Sequence, residues 1–181
     1  MQFEELFRIR LCHPEDAPLL APLIAALASE EGAEPADLDS IETVVSALLE
    51  SGVSDFLLAL IDGKPVGCLQ IAYRLSTWHA APYAYLEDFY LAPEARARGV
   101  GTKMLDYALQ RAEGQRADQI MLDVRSANTA ARRLYTRFGF ADNGSILLKR
   151  PLPLGDSYAC DTAGVGETVA ALREQPTKER G

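Results

Sequence analysis

The stretch Tyr85 to Leu109, YLEDFYLAPEARARGVGTKMLDYAL, reads as strand, turn, glycine-bearing loop and helix. Tyr85 to Leu91 is rich in aromatic and aliphatic residues, the composition of a strand. Pro93 ends it, because proline has no N–H to give to a ladder. Met104, Leu105, Ala108 and Leu109 then recur at helical spacing. Between them lies Arg96-Ala97-Arg98-Gly99-Val100-Gly101. A helix that starts after a strand leaves its first backbone N–H groups unpaired, at the positive end of the helix dipole. Gly99 and Gly101 carry no Cβ, so oxygens of an anion can approach the backbone and positive φ is open to them. Arg96 and Arg98 add charge and Thr102 adds a hydroxyl. The segment Arg96 to Thr102, with Ala97 and Val100 inside it, is the predicted pyrophosphate site.

The form of the loop restricts the nucleotide. A P-loop needs Gly, four residues, then Gly-Lys-Ser/Thr, and that is absent. A dinucleotide fingerprint needs a third glycine after Gly99-Val100-Gly101. What stands here is R-x-x-G-x-G after an acidic-aromatic strand. That resembles the acetyl-CoA motif of the GNAT superfamily of N-acetyltransferases, Q/R-x-x-G-x-G/A. The string LEDFYL…RARGVG is similar to that of the diamine (spermidine/spermine-type) acetyltransferases within it. Ala97 departs from the glycine of many members, a small cost if its φ stays negative. A second segment, Asn128 to Phe140 (N-x-x-A-x-x-L-Y-x-x-F-G-F), resembles the later half of the same signature. The resemblance covers about residues 7–150.

Composition sets outer bounds. The chain has 181 residues, 48% of them apolar, enough for one domain with a core. Acidic residues exceed basic ones, 26 to 18, for a formal charge of −8. With no basic run, nucleic acid is not an expected partner. Cys12, Cys68 and Cys160 are far apart and form no CxxC, so a reducing cytoplasm is the expected setting. His13 and His79 cannot make a multi-histidine metal site, and no metal is expected. MQFEELFRIR has no signal-type apolar core, and no apolar run approaches a membrane span.

In chain order, Phe7 to Leu11 reads as a first strand. A helix follows His13-Pro14-Glu15-Asp16, with Pro18 and Pro22 delaying or kinking it. A loop from Ala33 to Leu38 leads to a second helix, with Asp39 as the expected N-cap and Glu42 completing a capping box. Asp55 to Ile61 and Pro65 to Leu75 are strands joined by the hairpin turn Asp62-Gly63. Trp78 and His79 lie in the next loop, read as partly buried anchors. Ile120 to Val124 is a short strand. Asn128 caps a helix that presents Ala131, Leu134, Tyr135 and Phe138 on one face, and Gly139 ends it. Phe140 and Ile146 to Lys149 are the expected last strands. Residues 1–150 are one expected domain, and 151–181 a C-terminal extension, partly disordered.

The resemblance implies a fold: α/β (α+β), with a mixed, largely antiparallel central sheet flanked by helices and split between strands four and five. It implies that pantetheine of acetyl-CoA pairs with strand four near Phe89, Tyr90 and Leu91, with pyrophosphate on Arg96 to Thr102. Asn128 and Arg132 are placed to contact the rest of the cofactor. The implied reaction is direct attack on acetyl-CoA by a primary amine. Glu87 is the candidate base, read as sharing a face with Phe89, and Asp88 the weaker candidate on the opposite face. Tyr135 is the candidate general acid. Glu30, Glu31, Glu34 and Asp37 would present negative charge to a cationic amine, with Glu87 and Asp88 beneath. The implied acceptor is a polyamine, diamine or lysine-like compound. An aminoglycoside or protein amine, or acetyl-CoA binding without turnover, are the alternatives. The resemblance also implies a homodimer.

Overall fold

The computed structural model describes residues 7–150. Expectations for the first residues and for the 151–181 extension lie outside them. Five strands form one sheet: β1 (Phe7–Leu11), β2 (Ser54–Ile61), β3 (Lys64–Ser76), β4 (Ala81–Leu91) and β5 (Ile120–Leu122), in that spatial order. The first three junctions are antiparallel and β4–β5 is parallel. The helices are α1 (Ala17–Glu30), α2 (Leu38–Ser51), α3 (Val100–Gly114) and α4 (Thr129–Arg137). This is the expected mixed, largely antiparallel α/β architecture.

The sheet is covered on both faces, which explains the unbroken apolar run of β2. Leu57 faces one side with Leu69, Ile71 and Leu86, against Val100, Met104 and Leu105 of α3. Phe56 and Leu58 face the other with Cys68 and Tyr90, against Leu20 and Leu23 of α1 and Val45 of α2. Cys68 is the small core residue expected, and burial pushes its thiol pKa up. The Asp62-Gly63 hairpin forms with both residues at positive φ, 49° and 75°.

Four readings are corrected. The helix α2 is capped by Asp37, not Asp39: its Oδ1 accepts from the Ser40 amide at 2.9 Å. A cap needs extended backbone, and Asp37 has it (φ −62°, ψ 153°). Pro18 falls in the first turn of α1 and is harmless there, while Pro22 is carried inside a helix that runs on to Glu30. Trp78 is 93% exposed at the β3–β4 turn rather than buried, and His79 pairs with Asp118 at 2.5 Å. Among the described residues no strand follows α4. Ile146 and Leu148 are 82% and 87% exposed, with no neighbouring strand to pair against.

Candidate active site

The site is built where β4 loses its neighbour. Strand β5 pairs only with Ala84 to Leu86, so among the described residues no strand covers the β5-facing edge of Glu87 to Leu91. Leu86, paired with Leu122, is the last closed point, and the Tyr85 hydroxyl donates to Asp123 Oδ2 at 2.5 Å just past β5. This is the split expected between strands four and five.

Directly beyond it β4 carries a bulge. Gln70 pairs with Glu87 and Cys68 with Tyr90, so Leu69 stands opposite both Asp88 and Phe89. Asp88 adopts φ +46° to absorb the extra residue. The bulge resets the alternation. Leu86 lies in the α3-side core, as Phe89 and Leu91 do after the bulge, whereas Tyr90 lies in the α1–α2 core. Glu87, paired with Gln70, therefore faces away from Phe89. The shared face read from residue spacing does not exist, because the period of two fails across a bulge.

The two carboxylates differ sharply. Glu87 Oε1 accepts from Arg74 Nη2 at 2.7 Å, and that guanidinium also lies 4.6 Å from the Tyr85 ring centre. The carboxylate of Asp88 has no hydrogen-bond donor among the described residues. Burial, and secondarily the charge of Glu87, raises its pKa above the usual carboxylate value.

At the far end of β4, the loop expected to hold an anion leads into α3. The first i→i−4 bond of α3 is made by the Lys103 amide to Gly99 O at 3.1 Å, so the amides of Val100, Gly101 and Thr102 precede it. Gly99 is the N-cap at φ 83°. Ala97, expected at negative φ, sits at φ 58°. Left-handed residues at 97 and 99 alternate within the turn, a pattern that aims successive N–H groups to one side. An L-residue there costs about 1–2 kcal/mol, partly offset because glycine is freer in the unfolded chain. Ala97→Gly is therefore expected to stabilise the protein by roughly 0.5–1 kcal/mol. A thermal midpoint that stays put or falls would show the loop does not hold this conformation.

Gly101 also has a packing role. A Cβ there would lie 3.2 Å from Leu91 Cδ1, 3.6 Å from Leu134 Cδ2 and 3.7 Å from Phe89 Cζ. It would project into the gap between the end of β4 and α4, so the missing side chain keeps that gap open. Arg96 is engaged at this end. Its Nε donates to Leu91 O at 2.9 Å, and its Nη2 lies 2.5 Å from Glu30 Oε2. Arg98 reaches the Glu94 carbonyl at 3.5 Å.

Helix α4 brings Tyr135 to the same gap. Asn128 caps the helix, accepting from the Ala131 amide at 3.1 Å, and Gly139 follows it at φ 84°. Leu134, Tyr135 and Phe138 pack toward the α3-side core. The Tyr135 ring lies 6.5 Å from Phe89 and 5.8 Å from Phe140, centre to centre. Burial pushes the phenol pKa up to about 12, and its hydroxyl has no partner among the described residues. Arg132 and Tyr135 also line a cavity of about 660 Å³ between β5, α4 and residues 139–147. Its walls do not include Arg96 to Thr102.

Sequence reasoning missed three arginines, Arg74, Arg96 as a partner of Glu30, and Arg125. Arg125 Nε lies 2.5 Å from Glu31 Oε2, and its Nη2 donates to Glu31 O at 2.7 Å. No local pattern announces a pair 94 residues apart. Among the described residues no three His, Cys, Asp or Glu side chains gather as metal ligands, and no helix is long and apolar enough to cross a membrane.

Known proteins resemble this chain in sequence and in fold. A model of the acetyltransferase (GNAT) family matches residues 24–140. A phosphinothricin N-acetyltransferase of Alcaligenes faecalis is 30% identical over 173 residues, covering 82% of this chain and 84% of that one. A thialysine N-epsilon-acetyltransferase of Bos taurus is 34% identical over 85 residues, 44% of this chain and 49% of the relative. A protein of Clostridium acetobutylicum described as a predicted acetyltransferase, solved with acetyl-CoA, superposes with a TM-score of 0.68 at 20% identity. That match covers 80% of this chain and 96% of the other.

Proposed function

The chain belongs to the acetyltransferase (GNAT) family and is an acetyl-CoA-dependent N-acetyltransferase, and we propose that its acceptor is the primary amine of a small charged compound of the diamine, polyamine or lysine-like kind. The observation that carries the site assignment is the free edge of β4 after Leu86. It runs from two carboxylates to the first amides of α3, with Tyr135 against Phe89 between them. The residues fit the cosubstrate: an unpaired strand edge for amides, unpaired helix amides for phosphate, and an open gap at Gly101.

Acetyl-CoA supplies an activated thioester. The chain's own residues divide the rest. Phe89 and Leu91 offer main-chain hydrogen bonds on the edge away from β3, while Tyr90 pairs with Cys68, and one N–H of that edge stabilises the developing oxyanion. An alkyl amine with pKa near ~10 arrives protonated and must lose that proton before its nitrogen forms the C–N bond. Asp88 is the better-prepared acceptor of that proton, directly or through water, because its carboxylate is unpaired and its pKa raised. Glu87, held by Arg74, orients the amine beside it. Tyr135 donates toward the sulfur as the C–S bond breaks. The same reading carries a homodimer in the cytoplasm, which sedimentation and fractionation test.

Free-thiol release from acetyl-CoA against an amine panel tests the function. Saturable release with one amine class supports it, and release only with aminoglycosides or peptides moves the acceptor to those classes. Acetyl-CoA binding with no release from any amine favours a binding module. For the base, Asp88→Asn is expected to lower kcat roughly 100-fold or more and Glu87→Gln less than about tenfold. In the wild type kcat/KM rises with pH as the base loses its proton, and Asp88→Asn removes that limb. The opposite ranking would return the role to Glu87.

A further inference from the structure

Four carboxylates gather around the free half of β4, and three of them already hold arginines. Glu30 holds Arg96, Glu31 holds Arg125 and Glu87 holds Arg74. Of these four, only Asp88 lacks a cationic partner among the described residues. The acidic surplus of the whole chain therefore does not describe this mouth. A polycation would have to displace an arginine at Glu30, Glu31 and Glu87 and would gain little net attraction there.

Arg125 is the most available of the three. It belongs to the segment after β5, across the split from Arg96, which follows β4. Glu30 and Glu31, adjacent at the end of α1, thus hold arginines from both lips of the cleft. The Arg125 side chain is 65% exposed, and its Nη1 meets no acceptor among the described residues. An exposed ion pair of this kind holds weakly and exchanges readily. A guanidinium with a free edge matches the two oxygens of a carboxylate.

We infer that Arg125 is a specificity-determining residue, taking the carboxylate of an acceptor that carries one beside its amine. This rests on the proposed acetyl transfer to a small amine and narrows the acceptor to an amino-acid-like zwitterion. The carboxylate docks on the β5 lip at Arg125, and the amine reaches the bulge at Glu87 and Asp88.

The test uses matched pairs that differ by the carboxylate: lysine against cadaverine, ornithine against putrescine, alanine against ethylamine. Thiol release from acetyl-CoA is measured for each. The wild type is expected to favour the carboxylate-bearing member by roughly tenfold or more in kcat/KM. Arg125→Ala should collapse that ratio toward one, mainly through KM of the carboxylate-bearing member, and Arg125→Lys should restore part of it. Glu31→Gln keeps the main-chain contact, frees the guanidinium and should raise the ratio. A merely structural Arg125 would depress both members alike and leave the ratio standing, which overturns the inference. So would a wild-type preference for the carboxylate-free amines. Either result leaves acetyl transfer intact. Silence with every amine while acetyl-CoA binds would instead remove the proposed function, and this inference with it.

Discussion

Tyr135→Phe is expected to lower kcat by about 100-fold while acetyl-CoA affinity stays within roughly twofold. The size follows from what the phenol can do. With its pKa pushed up to about 12, Tyr135 is protonated at any working pH. Full transfer to a thiolate of pKa near ~8.5 would be uphill by about 5 kcal/mol. The phenol therefore acts chiefly as a hydrogen-bond donor to the departing sulfur. A bond to a charged group contributes about 1.5–3 kcal/mol, or roughly 10- to 150-fold in rate. The substitution also has little structural cost, because the hydroxyl has no partner among the described residues and the ring contacts with Phe89 and Phe140 remain. Single-turnover thiol release and equilibrium titration separate the two quantities. Between pH 6 and 10 the shape of the profile should not change, since Tyr135 does not titrate there. Lost cofactor affinity with intact turnover per bound cofactor would contradict the assignment.

What could be read from sequence was what is decided locally. The Asp62-Gly63 turn, the Asn128 cap, the Gly139 stop and the start of α3 each depend on a few adjacent residues. The bulge at Asp88 does not. It depends on β3, where a Cβ on Gly67 would meet Leu91 Cδ2 at 2.4 Å and Tyr90 O at 2.9 Å. That close approach fixes the register at the end of β4. The extra residue is absorbed between Glu87 and Tyr90. A strand read alone shows only LEDFY, and period two then assigns Glu87 and Phe89 to one face. The same limit explains Glu30 and Glu31, which read as free acids. Their partners, Arg96 and Arg125, arrive from 66 and 94 residues away. Ala97 failed for another reason: a turn imposed by its neighbours overrode the residue's own preference for negative φ.

Gly101→Glu is expected to weaken acetyl-CoA binding by more than about 100-fold and to abolish thiol release. A new side chain there would start 3.2 Å from Leu91 and 3.7 Å from Phe89, so it enters the gap between β4 and α4. Its carboxylate then lies near the first amides of α3, repels phosphate and competes for the same donors. Sterics and charge are separable. Gly101→Ala adds only the Cβ, and the 3.2 Å contact is to a leucine methyl that can shift by a few tenths of an ångström. It is expected to weaken binding by about tenfold at most, with the fold retained. Gly101→Gln fills the gap as Glu does but without the charge, so the difference between Gln and Glu isolates repulsion at the phosphate. That difference should shrink as salt rises, because the loop is exposed enough for screening. Circular dichroism and thermal melts confirm that each variant folds before its titration is read. A folded Gly101→Glu protein that titrates acetyl-CoA normally would refute a phosphate site at the start of α3. Equal losses for Gln and Glu would leave Gly101 as the residue that keeps the cleft open and move the phosphate charge elsewhere.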